Sequence, residues 1–73
     1  MKTYKIIGES REVGAIGIFE PFTENILTES SKDAYEQARN NQYRNNREHI
    51  HIKEIRLIRE GRGEIIVEPG NYL

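Results

Sequence analysis

Between His49 and Ile58 the chain reads His-Ile-His-Ile-Lys-Glu-Ile-Arg-Leu-Ile, an alternation that only an extended strand converts into one apolar face. The phase slips at Lys53-Glu54, after which Ile55 and Leu57 carry the pattern begun by Ile50 and Ile52. A bulge or a twist that lets the strand serve two faces is expected there.

The other segments are read around that strand. Thr3 to Ile7 alternates and is expected to be a strand closed by Gly8, with Gly8 to Gly14 as a polar connecting loop. Ile16 to Thr28 keeps Ile16, Ile18, Phe22 and Ile26 on one face, a second strand with an edge position or bulge at Pro21. Ser30 followed by Asp33 has the spacing of a helix start, and Asp33 and Glu36 suit the positive end of the helix dipole. Ser31, Tyr35, Ala38 and Gln42 form a narrow stripe with Ala34 on its shoulder, and the asparagines predict an end near Asn45 or Asn46. Glu60-Gly61-Arg62-Gly63 is a turn, and Glu64 to Glu68 a short strand ended by Pro69-Gly70, with a tail at 69–73.

One helix can cover only one face of a sheet. The expected fold is therefore α+β, a two-layer domain of order ββαββ with about four mostly antiparallel strands and one solvated face. Ile6, Ile18, Phe22, Ile26, Ala38, Ile50, Ile52, Ile55 and Leu57 are the expected core.

At 73 residues the chain is a single small domain with little room for an enclosed pocket, which disfavours an enzyme. Leu, Ile, Val and Phe make up about a quarter of it, above the roughly 20% at which charged chains stay unfolded. Eleven Lys/Arg against twelve Asp/Glu leave a formal charge of −1, so no global field draws the chain to nucleic acid or anionic membrane. The absence of cysteine removes disulfides, thiolate nucleophiles and sulfur-rich zinc sites, and suits a reducing cytoplasm. Neither a secretory segment nor a membrane span is expected, and no cofactor.

Candidate chemistry is sparse. His49 and His51 share a strand face and would hold a metal only with a third ligand from a neighbouring strand. The simpler reading puts both on the solvated face without metal. Gly14-Ala15-Ile16-Gly17 lacks the lysine and the strand-to-helix context of a phosphate loop, and no Gly-x-Ser-x-Gly elbow accompanies the serines. Arg39 to Arg47 gathers three arginines, a tyrosine and five amide side chains with no acid. Arg39, Tyr43, Arg44 and Arg47 are accordingly the candidate contacts to RNA or to a protein partner. The alternative is that these cations and asparagines simply complete a helix C-terminus.

From Tyr4 to Ile58 the chain resembles the archaeal large-subunit ribosomal protein LX family, a ββαβ module. The residues concerned are a first strand from Tyr4-Lys5 to Gly8, the run Pro21-Phe22-Thr23, the helix start at Glu29 to Ala34, and Arg47 followed by Ile50, Ile52, Glu54, Ile55 and Ile58. The chain departs from that family in three ways. Asn40 to Asn46 replace its basic glycine-serine segment, the first loop is longer, and Arg59 to Leu73 has no counterpart. The resemblance implies an RNA- or ribosome-associated module whose contacts lie near the helix end.

The residues themselves favour a non-enzymatic module acting through protein–protein contact, because sequence-independent RNA affinity comes mostly from excess cations. A weak homodimer is also expected, through the edge of the C-terminal strand or the open sheet face, as small domains without disulfides or metals often gain stability by association.

Overall fold

The computed structural model describes residues 1–14 and 17–72, and side chains through Val67. The order is ββαββ: β1 (Lys2–Glu12), β2 (Glu20–Thr28), α1 (Ser31–Arg44), β3 (Arg47–Arg59) and β4 (Gly63–Tyr72). All neighbouring strands are antiparallel in one sheet of order β2-β1-β3-β4. This is an α+β fold with one helix packed on a four-stranded sheet, as the patterning predicts.

Burial alternates along β1, where Tyr4, Ile6, Gly8 and Ser10 lie under the helix. Ile26 of β2 and Ile52 and Ile55 of β3 meet them, and Ala34 and Ala38 let α1 approach closely. Phe22, Tyr35, Ile50, Leu57 and Val67 pack around this cluster, partly buried. The opposite face is a lattice of ion pairs, including Lys5–Glu64 (3.3 Å), Arg56–Glu54 (2.9 Å) and Lys53–Glu9 (3.4 Å).

The slip at Lys53-Glu54 is a bulge. Ile7 pairs with Glu54 and the next residue, Gly8, with Ile52, leaving Lys53 as the extra residue in β3. Ile52 and Ile55, three apart in sequence, thereby point to the same side and are both buried. The irregularity thus keeps one apolar face continuous across a change of parity, rather than serving two faces.

Several boundaries differ from expectation. β1 does not end at Gly8 but runs on to Glu12, absorbing most of the expected loop. Gly8 is needed for closeness, not for a turn: a Cβ there would collide with the His51 carbonyl oxygen and stand 3.0 Å from the Phe22 ring. β2 begins at Glu20, not Ile16, and Pro21 pairs in unbroken register with Glu9 because β2 is an edge strand with one unpartnered side. Ile18 is therefore not core; it is 62% exposed in the β1–β2 connection, while Ile16 lies outside the described residues. β4 is not ended by Pro69-Gly70. It continues to Tyr72, so residues 69–72 pair with β3 rather than forming a tail, and Leu73 lies outside the described residues. As the outer strand, β4 tolerates Pro69 for the same reason that β2 tolerates Pro21.

The helix starts and stops as its sequence predicts. Ser30 is the N-cap, its Oγ accepting the Asp33 backbone N–H at 3.2 Å. Asn45 is the C-cap, and Asn46 follows in the left-handed region (φ 62°), the usual use of asparagine after a helix. No helix among the described residues is long and apolar enough to cross a membrane.

Candidate functional site

Tyr35, Arg39 and Tyr43 stand four residues apart and so form a ridge along α1. The Arg39 guanidinium lies over both rings, 5.5 Å from the Tyr35 centroid and 5.7 Å from that of Tyr43. Its two terminal nitrogens donate to the Tyr35 hydroxyl (3.2 Å) and the Tyr43 hydroxyl (3.1 Å). The Tyr43 hydrogen bond is the main influence holding the Arg39 pKa above its ordinary value. Glu36 and Asn40 complete a groove of about 320 Å³ along this ridge.

The direction of the ridge follows from the opposite flank. Gln37 donates to Thr28 (3.2 Å) and Asn41 to Glu24 (3.1 Å), which hangs that side of α1 over β2. Tyr35, Arg39 and Tyr43 occupy the other flank of α1, and Tyr43 is 52% exposed.

The structure brings Arg39 and Tyr43 together but removes Arg47 from their patch. A second bulge, between the Glu9–His51 and Arg11–Glu48 pairs, places His49 at φ 51° and turns Arg47 under the end of the helix. There its Nε donates to Ser10 Oγ (3.1 Å), one terminal nitrogen to the Ser10 carbonyl (3.0 Å) and the other to Glu20 (3.0 Å). Gln42 and Glu24 continue the same network. Arg44 stays on the surface at the last turn of α1.

Neither histidine joins a metal-binding cluster. His49 lies 3.4 Å from Glu48, His51 meets the Phe19 ring edge-on at 5.7 Å, and both are exposed. Among the described residues no group of three His, Asp or Glu side chains gathers to hold a metal. Ser10 is buried and engaged by Gln42 and Arg47, so its hydroxyl is not an accessible nucleophile.

Sequence reasoning placed Tyr35 on the buried stripe and missed its part in the ridge; the spacing of Tyr35, Arg39 and Tyr43 was the available signal. It also missed an apolar tip on the β1–β2 connection, where Val13, Ile18 and Phe19 are 50%, 62% and 42% exposed. The signal was the stretch from Val13 to Phe19, which holds no polar side chain at all.

Comparison with protein-family models, with curated proteins and with solved structures finds no match for the chain.

Proposed function

We propose that this protein is a non-enzymatic binding module that acts by protein–protein contact, through the Tyr35–Arg39–Tyr43 ridge. The observation that carries this reading is the fixed stacking of Arg39 on two tyrosines, one of them half exposed. Tyrosine and arginine dominate the residues that supply most interface energy, and side chains already held in place lose less entropy on binding. The groove beside the ridge gives a partner side chain a place to enter.

RNA is the weaker reading. With Arg47 turned inward the patch retains Arg39 and Arg44, and the terminal nitrogens of Arg39 are given to tyrosine hydroxyls. Phosphate binding draws on several converging cations, and this surface offers few. The resemblance to the ribosomal LX family implies RNA contacts near this helix end, where Arg47 is already engaged by Ser10 and Glu20.

The test is a photo-crosslinking residue at Asn40, beside the ridge, in cells that encode the protein. The expected product is a nuclease-resistant protein adduct. Its partner, purified, should bind the wild-type chain and lose about tenfold in affinity to Arg39→Ala or Tyr43→Ala, roughly 1.4 kcal/mol. An adduct removed by ribonuclease, with salt-sensitive RNA binding that weakens in Arg44→Ala, would replace this reading with the RNA one.

A further inference from the structure

The groove beside Arg39 divides its chemistry along its length. Glu36 and Asn40, four apart, make a second row on α1 next to Tyr35, Arg39 and Tyr43, and residues of both rows line the groove. Hydrogen-bond donors occupy its middle and its Tyr43 end. Each terminal nitrogen of Arg39 keeps a second hydrogen after serving a tyrosine, and the side chain carries no acceptor. Because the Tyr43 oxygen accepts from Arg39, its own hydrogen is left to donate, and among the described residues nothing receives it. The Asn40 amide is also without a partner among the described residues. The Tyr35 end is different: there stands the Glu36 carboxylate, which no cation among the described residues pairs.

A ligand for such a groove brings apolar surface to the rings, carbonyl oxygens with few competing donors, and a positive charge at one end. An extended proline-rich segment has that composition. In the polyproline II conformation its carbonyls make no internal hydrogen bonds, and its prolines have no N–H. The spacing also agrees. Each ring centroid lies within 5.7 Å of the Arg39 guanidinium carbon, so the two rings stand no more than about 11 Å apart. Residues i and i+3 of polyproline II share a face about 9 Å apart. An amphipathic helix spends its carbonyls on itself, and an acidic segment would set like charge against Glu36.

We infer that the partner enters this groove with a proline-rich segment in the polyproline II conformation, a basic residue of that segment meeting Glu36. This rests on the ridge being the contact surface, and adds the class of partner. A preformed segment and a guanidinium already stacked on two rings both lose little entropy on docking.

The test is an amide NMR titration of the full chain with decaproline carrying an arginine at each end. Saturating shifts are expected at Tyr35 to Tyr43, with a Kd below about 1 mM. Alanine in place of proline in the peptide should abolish them. Tyr43→Ala should weaken binding about tenfold, and Tyr43→Phe, which keeps the ring and removes the donor, should weaken it measurably. Glu36→Gln should cost about threefold against the arginine-bearing peptide and nothing against plain decaproline. The amide spectrum of each variant shows directly whether it is folded. Absence of saturation, equal binding of the alanine peptide, shifts centred away from α1, or indifference to Tyr43→Phe and Glu36→Gln would overturn the inference. So would a protein partner crosslinked from Asn40 through a segment without proline, which would leave the ridge as a protein-binding surface. An adduct removed by ribonuclease would overturn both readings.

Discussion

The Ser10 hydroxyl donates to the Gln42 side-chain oxygen at 2.8 Å, and both residues are buried where the C-terminal end of α1 meets the sheet. The same hydroxyl accepts from Arg47, and the Gln42 amide donates to Glu24 at 3.0 Å. This chain of hydrogen bonds ties the helix end to three strands. A buried polar group that loses its partner keeps its desolvation cost, about 1–3 kcal/mol. Gln42→Ala is therefore expected to destabilise by at least that amount in urea denaturation, and Ser10→Ala by a similar amount. Thr23→Ala, on the exposed side of β2, should stay within about 0.5 kcal/mol. Equal effects at Gln42 and Thr23 would show that the network contributes nothing.

The core makes a second contrast. Ile55 is fully buried and Ile18 is mostly exposed, although both belong to the core expected from the sequence. Truncating Ile55 to Ala removes packed methylenes and should cost about 2–5 kcal/mol, as should Ile52→Ala. Ile18→Ala and Asn45→Ala should each cost about 0.5 kcal/mol or less. Chemical denaturation of the four variants distinguishes this core from one that includes Ile18.

Gly8→Ala should be destabilising by about 1–3 kcal/mol, the usual cost of forcing extra volume into a packed site. The added methyl would press on the His51 carbonyl and the Phe22 ring. Hydrogen exchange should show the loss locally, with faster exchange of β1 and β3 amides around the Lys53 bulge. A variant as stable as the wild type would mean that the strands do not approach so closely.

Glu64 supplies the pH dependence. Its carboxylate accepts from Arg56 (3.2 Å) and from Lys5 (3.3 Å), and these cations, Arg56 foremost, hold its pKa below the ordinary glutamate value. A depressed folded-state pKa means stability that is present above the unfolded value and is lost as pH falls through the folded one. The group is solvent-exposed, so the effect is small and should shrink further in high salt. Carbon-detected NMR titration should find Glu64 titrating low, with Arg56→Ala moving it upward further than Lys5→Ala does. No change in Arg56→Ala would dismiss the ion pair.

Local rules reached far into this chain. The Ser30 cap, the Asn45–Asn46 stop, the alternating strands and the shortage of helices are signals confined to a few neighbouring residues each, and together they determined the ββαββ order and the one-sided helical cover. The slip at Lys53-Glu54 was legible for the same reason, since a strand cannot change parity without an extra residue. Its consequence was not legible. Whether the strand then serves two faces or one depends on what lies opposite, and it is Gly8 of β1 that gives the bulge room.

The misplaced residues share that cause. A glycine that ends a strand and a glycine that admits a neighbouring backbone look alike in sequence, so the sequence predicts a β1 that stops at Gly8. Ile18 has the right parity for the core, yet the sheet has already ended where it stands, because β2 begins pairing only at Glu20. Arg47 is adjacent in sequence to the Arg39–Arg44 patch, and only the bulge at His49 turns it onto Ser10. Sequence by itself determined which segments extend, which one coils and where that coil is capped, since backbone and side-chain preferences act between near neighbours. Tertiary structure alone decided which isoleucines are buried, which arginine joins the tyrosine ridge and which apolar residues remain outside, since each depends on the register between strands far apart in the chain.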